Sequence, residues 1–211
     1  MKRVFDLVLA AAGLILLSPL WATIAVMIKL HDGGPVLYLQ ERVGRHGRTF
    51  RAWKFRSMVP DAERLTGAVQ AAPEDPRITP IGRWLRARAL DELPQLVNIL
   101  RGDMSFVGPR PLRPSECDTT SDGKMIPLDT IPGYRERHRV RPGLTGLAQV
   151  YASRDAPRPE KFALDLEYVR RSSMALDLKL LALSVWISLR GAWEEPAPAR
   201  GVSQKVGCDY N

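Results

Sequence analysis

The chain has 211 residues and is poor in the residues that build metal centres and covalent staples, with two cysteines and three histidines. Cys117 and Cys208 lie in polar, loop-like segments without metal-ligand spacing. That argues against a disulfide framework and fits a reducing compartment. His31, His46 and His138 form no HxxxH or HExxH pattern, which removes the common zinc signatures. Negative charge is also short. Asp and Glu number 23 against 31 Lys and Arg, giving a net charge of +8 and a pI of about 9.9. The excess suits an anionic partner: phosphate ligands, anionic lipid or nucleic acid. Charge alone does not choose among these, and a solvated basic face is the plain alternative.

One stretch lacks charge altogether. The 22 residues from Leu7 to Ile28 are long enough to cross a bilayer as a straight helix of about 33 Å. A cleaved leader is disfavoured, because the apolar run is too long and no small-residue cleavage site follows. Ser18-Pro19 falls in its middle, and a proline there removes a backbone donor and predicts a kink. A kinked helix could still span, or it could enter one leaflet, bend and return. Lys2 and Arg3 flank one end; Lys29, Arg42, Arg45, Arg48, Arg51, Lys54 and Arg56 follow the other. Positive flanks stay cytoplasmic, so two positive flanks favour a re-entrant segment over residues 1–30 with both ends inside.

The remainder reads as an α+β domain, mainly α, over residues 31–190. Val36–Gln40 and Phe50–Phe55 are β-leaning runs around the turn residues Gly44–Gly47, which predicts a small antiparallel hairpin. Pro60–Thr66 suggests a short helix, and residues 67–79 a loop. Ile81–Leu90 suggests a basic helix, and Leu93, Leu96, Val97 and Leu100 repeat at helical spacing. A polar loop is expected over 113–130. A last helical pattern covers about 160–190. Its very apolar end, Leu176–Leu189, is too short to span and suits either core packing or the membrane interface. From 191 to 211 the composition suggests a mobile tail.

Asp91-Glu92 stands at the start of the second helical pattern. Asp91 could be an N-cap, and Glu92 a complement to the helix dipole. The neighbours suggest more. Arg83, Arg86 and Arg88 precede the pair, Arg110 follows in Gly-Pro-Arg-Pro, and Arg139 and Arg141 recur in Arg-Val-Arg-Pro-Gly. Carboxylates among arginines stay ionised, and an ionised carboxylate can attack phosphorus or hold Mg²⁺. Arginine forks bind phosphate oxygens. The constellation fits phosphoryl chemistry.

The unbroken stretch from Ile81 to Pro111, with Leu90-Asp-Glu-Leu-Pro-Gln95 and Gly102-Asp-Met-Ser-Phe-Val-Gly-Pro-Arg110 inside it, resembles the bacterial sugar transferase family. These are the monotopic polyprenol-phosphate phosphoglycosyltransferases. Lys2-Arg-Val-Phe-Asp6, Gly34-Pro-Val36, Lys54-Phe-Arg-Ser-Met58 and Arg141-Pro-Gly-Leu-Thr-Gly-Leu-Ala-Gln-Val150 resemble it too, in order along the chain. The resemblance implies the small, catalytic-core form of the enzyme, with a re-entrant anchor and interfacial helices at the cytoplasmic face of the bacterial inner membrane. It implies transfer of a sugar 1-phosphate from a UDP-sugar to undecaprenyl phosphate, with loss of UMP, in a first membrane step of polysaccharide synthesis. Asp91 would be the nucleophile and Glu92 a Mg²⁺ ligand or base. Both carboxylates could hold the Mg²⁺ cofactor, and Lys54, Arg86, Arg110 and Arg141 would bind phosphate.

Two places depart from the family pattern. Tyr151-Ala-Ser153 stands where the family usually has Asn-Gly-Arg, and Tyr168-Val-Arg-Arg-Ser172 where it often has Asn and an aromatic. Sugar identity and a homodimer are left open. The competing reading is a membrane-anchored basic protein that binds nucleic acid or anionic lipid. The acidic pair speaks against nucleic acid, since it would repel a polyanion.

Overall fold

The computed structural model describes residues 1–60, 62, 75–114, 116–119, 124–153 and 156–193. The chain opens with helix α1 (Lys2–Leu16) and helix α2 (Ser18–Asp32), bent by 59° at Leu17. The bend lies where the sequence predicts it. Pro19 cannot donate to the carbonyl of Ile15, and the Ser18 hydroxyl donates to it instead at 2.8 Å. Among the described residues no single helix is long and apolar enough to cross a membrane; the bent pair meets that requirement only when its two arms are taken together, on length and composition alone.

The two arms rest on different parts of the domain. The α1 face with Ala10 and Gly13 packs near Leu96, where a β-carbon on Gly13 would come within 3.2 Å of the leucine side chain. From α2, Ile24 and Ile28 pack with Phe55 and Leu85 in a second apolar cluster. Val4, Val8, Ile15, Leu16, Val26 and Leu30 face outward, each more than half exposed.

Strands β1 (Leu37–Val43) and β2 (Thr49–Phe55) form the expected antiparallel hairpin, in register from Leu37 opposite Phe55 to Val43 opposite Thr49. Its closing loop takes His46 and Gly47 through positive φ. Helix α3 (Pro80–Ala87) follows, capped by the Thr79 hydroxyl accepting from Gly82 N at 2.9 Å. Next come helix α4 (Gln95–Arg101) and strand β3 (Ser105–Val107).

The polar stretch expected as a loop over 113–130 instead holds a two-stranded ribbon, β4 (Cys117–Thr119) against β5 (Met125–Pro127). After the short helix α5 (Tyr134–Arg137), strand β6 (Gly143–Thr145) pairs in parallel with β3. Glycine is required at this crossing. A β-carbon on Gly143 would fall 2.1 Å from Gly108 N, and one on Gly146 2.2 Å from Gly108 O.

Helices α6 (Leu147–Tyr151), α7 (Arg158–Arg171) and α8 (Met174–Arg190) complete the fold. The single helical pattern over 160–190 is thus two helices. Ser173 breaks it, its side chain accepting from Leu176 N at the start of α8. The main core draws on α1, α4, β3, α6, α7 and α8. Packing continues past residue 190. Ala192 is buried, and the Trp193 indole donates to Ser188 Oγ at 2.8 Å. The expected tail beyond 193, Cys208 included, and most of the expected helix at Pro60–Thr66 lie outside the described residues.

Candidate active site

Asp91 is not a helix cap. The chain leaves α3, turns through Ala89 in the left-handed region (φ 53°) and makes a single 3-10 turn, Leu90–Glu92, before Pro94 starts α4. A side chain at positive φ costs about 1 kcal/mol. Such local strain persists where surrounding contacts hold it, commonly at functional sites. Here it delivers two adjacent carboxylates, Asp91 and Glu92, into a buried position at the end of β2.

The two acids have different surroundings. Glu92 Oε1 accepts from Lys54 Nζ at 2.7 Å and from Arg110 Nη2 at 2.9 Å. Lys54 comes from β2 and Arg110 from the loop after β3, so the ion-paired triad ties three segments together. Burial alone would favour the neutral acid, but Arg110 and Lys54 outweigh it and hold Glu92 well below the usual carboxylate range. Asp91 has no hydrogen bond among the described residues. Burial pushes its pKa up, with Lys54 opposing and the neighbouring Glu92 charge adding to the rise. Burial pulls Lys54 down, partly offset by Glu92. Glu92 pulls Arg110 up; about half of that side chain is exposed, so solvent screens its attraction.

The backbone behind Arg110 is fixed from two sides. Arg42 Nη1 donates to Pro111 O at 2.8 Å, and Arg137 Nη2 to Arg110 O at 2.7 Å. Arg137 is itself buried and ion-paired with Asp165 at 2.7 Å. A pocket opens beside Glu92, lined by Arg42, Ala52, Lys54, Glu92, Gln95 and Arg110 with Pro111.

Of the predicted phosphate-binding residues, Lys54 and Arg110 meet at Glu92. Arg86 lies close enough to act electrostatically on Asp91. Arg141 does not join them. Its Nε donates to Gly102 O at 2.9 Å, and its own carbonyl lies where a β-carbon on Gly108 would sit. Sequence reasoning missed Arg42 and Gln95 in the pocket wall and the Arg137–Asp165 pair behind Arg110. Arg42 was read only as a flanking charge, and Gln95 falls in a helical repeat where a polar residue is unremarked. No local pattern links residues 137 and 165.

Ser18 and Pro19 lie at the bend, as predicted. The Lys2-Arg-Val-Phe-Asp6 segment anchors α1 to the domain. Lys2 reaches Asp177, Tyr168 and Val107 O, and Arg3 donates to Ile99 O and Leu100 O. Asp6 accepts from Ser105 Oγ and Phe106 N.

Among the described residues no group of three or more His, Cys, Asp or Glu side chains could hold a metal. Mg²⁺ at phosphoryl sites needs only one or two carboxylates, since substrate phosphates and water supply the other ligands. Asp91, with both oxygens uncommitted, fits that limited demand. Glu92 has one oxygen already taken by two cations.

The family model described as bacterial sugar transferase matches residues 1–191. The chain belongs to the bacterial sugar transferase family. It is 45% identical over 189 residues to the undecaprenyl-phosphate glucose phosphotransferase of Komagataeibacter xylinus, covering 87% of this chain and 35% of that protein. It is 40% identical over 192 residues to the UDP-glucose:undecaprenyl-phosphate glucose-1-phosphate transferase of Escherichia coli K12, covering 88% of this chain and 39% of that protein. Similarity to the exopolysaccharide production protein PSS of Rhizobium leguminosarum bv. phaseoli is 40% over 188 residues, covering 86% of this chain and 91% of that protein. The chain therefore spans well under half the length of the first two relatives. The shared family segment contains the bend, the hairpin and the whole pocket.

Proposed function

We propose that this family member transfers a sugar 1-phosphate from a UDP-sugar to undecaprenyl phosphate, releasing UMP. The observation that carries the reading is the asymmetry of the two carboxylates. Glu92 is held by Lys54 and Arg110, whereas the neighbouring Asp91 is free to react. A buried carboxylate with poor solvation is a stronger nucleophile than one in water. In the first step an Asp91 oxygen attacks the phosphorus that bears the sugar. The bond from that phosphorus to the UMP oxygen breaks, and UMP leaves with the electron pair. In the second step an oxygen of undecaprenyl phosphate attacks the same phosphorus. The bond to Asp91 breaks, which restores the carboxylate and forms the lipid diphosphosugar.

Lys54, Arg110 and Arg86 supply the positive charge that gathers phosphate oxygens during both steps. The low pKa of Glu92 makes it a weak base. Its contacts suit it to fixing Lys54 and Arg110. Asp91, with Glu92 beside it, would hold Mg²⁺, which would neutralise charge on the donor diphosphate.

The reading also places the bent pair as a re-entrant anchor at the cytoplasmic face of the inner membrane. Both ends of the pair are tied to the same domain: Lys2 to Asp177 on α8, and Asp32 to Arg56 after β2 at 2.6 Å. The exposed α8 residues Val185, Trp186 and Leu189, with Arg190 5.7 Å over the Trp186 ring, suit the lipid interface. A soluble donor and a lipid acceptor can then meet at Asp91. The test is UMP release by the full chain in nanodiscs. Release that requires both a UDP-sugar and undecaprenyl phosphate is expected. Salt-sensitive nucleic-acid binding with no release across a UDP-sugar panel would favour the basic binding protein instead.

A further inference from the structure

The pocket beside Glu92 has one wall residue with no partner. Gln95 is 2% exposed and lines the pocket, yet its side-chain amide makes no hydrogen bond among the described residues. Other buried amides of the domain are used. Asn98, one turn further along α4, donates to Arg51 O and Asp103 Oδ2 and accepts from Trp53 N. An amide that has no partner in the fold and faces only the pocket adds little to stability, and leucine of nearly equal size would bury more apolar surface there. Local propensity gives no reason for glutamine either, since leucine forms helix as well. The polar group at 95 is explained if something that enters the pocket completes it.

The walls indicate what enters. Arg42, Lys54 and Arg110 present three cations, and among the lining residues Glu92 is the one acid set against them. The matching ligand is an oxygen-rich anion. We infer that Gln95 is a substrate-contacting residue whose side-chain N–H donates to a phosphoryl oxygen in this pocket. The inference rests on the transfer reaction proposed above and adds to it a neutral donor beside the charged ones. A neutral amide grips a phosphate without altering the charge on Asp91. Two substrates carry such oxygens, the UDP-sugar diphosphate and the undecaprenyl phosphate.

Gln95→Leu in the full chain, reconstituted in nanodiscs, separates contact from packing. Because the amide has no internal bond to lose, the variant is expected to melt at or above the wild-type temperature. Its KM for one phosphate substrate should rise roughly tenfold, the loss expected for one hydrogen bond to a charged oxygen. A rise confined to UDP-sugar assigns the contact to the donor, and one confined to undecaprenyl phosphate assigns it to the acceptor. Unchanged KM values, with or without a lower melting temperature, overturn the inference and leave Gln95 a packing residue. Gln95→Glu decides the case in which the leucine variant does not fold. It keeps the shape but replaces the donor with a negative acceptor, so KM should rise further, and a wild-type KM overturns the proposal. Wild-type protein without any UMP release would instead refute the transfer reaction before a variant is made.

Discussion

At the scale of single residues, the proposed reaction divides labour between adjacent acids. Asp91 has a raised pKa, so its ionised form costs folding stability above its unfolded value of about 3.8. Asp91→Asn removes that cost and keeps the shape. The expected outcome is loss of all turnover with an unchanged or higher melting temperature, read by UMP release and differential scanning fluorimetry. Active-site residues commonly trade stability for function in this way.

Glu92 has the opposite sign. Its folded pKa is depressed, so it contributes stability above about 4.5 that disappears as the pH falls. Glu92→Gln should cost about 2 kcal/mol in denaturant unfolding, less than for a fully buried ion pair because Arg110 stays half exposed. The same variant tests the coupling between the acids. The acid limb of the wild-type rate profile should lie above pH 3.8 if ionised Asp91 is the nucleophile, as proposed. Removing the Glu92 charge lowers the Asp91 pKa, so the residual activity of Glu92→Gln should lose its acid limb at a lower pH. A limb that moves upward would contradict the assignment of Asp91. Asp91, Glu92 and Arg110 were legible in sequence because they sit in one long recognisable segment, and Lys54 because it heads a second, shorter one. Arg141 belongs to a separate motif, and a motif does not say where a side chain turns: its guanidinium donates to Gly102 O.

At the scale of elements, legibility followed periodicity. The β1–β2 hairpin was visible because seven paired residues and a glycine-bearing turn leave a strong local signal. The β3–β6 pair was not. Each strand has three residues, the partners are parallel and distant in sequence, and the glycines that permit the crossing read locally as turns. The β4–β5 ribbon was hidden by its polar composition. Such non-local contacts hold the loop that carries Arg110. Arg137 on α5 grips Asp165 on α7 with two of its nitrogens and extends a third bond to Arg110 O. Asp165→Asn should therefore loosen Arg110 as well as weaken the core. About 3 kcal/mol of stability should be lost, as for other broken buried pairs. Among molecules still folded, kcat/KM should fall while the Asp91-dependent acid limb keeps its pH. Loss of stability with wild-type kcat/KM in the folded fraction would reduce the pair to a core contact.

At the scale of the whole molecule, the proposed anchor has to meet lipid while both of its ends stay tied to one domain. Hydropathy alone left spanning and re-entry both open. The contacts at its ends favour re-entry. A spanning helix would put its ends on opposite faces of a hydrocarbon layer about 30 Å thick. Here Lys2 lies in a network with Asp177, Tyr168 and the backbone of β3, while Asp32 pairs with Arg56 on the same domain. Crossing the bilayer would require one of these networks to come apart and leave a buried charge such as Asp177, now 2% exposed, without its counter-ion, with only the Tyr168 hydroxyl still bound to it. The outward Val4, Val8, Ile15 and Leu16 can meet lipid without that loss. Cysteine accessibility measures the outcome. In a background with Cys117 and Cys208 replaced by Ser, one cysteine is placed in a short extension ahead of Met1 and another at the exposed His31. Neither should react with a membrane-impermeant maleimide added to intact spheroplasts, and both should react in inverted vesicles. Labelling of either site from the outside would establish a spanning topology and break the link between the bent pair and the domain contacts at its two ends.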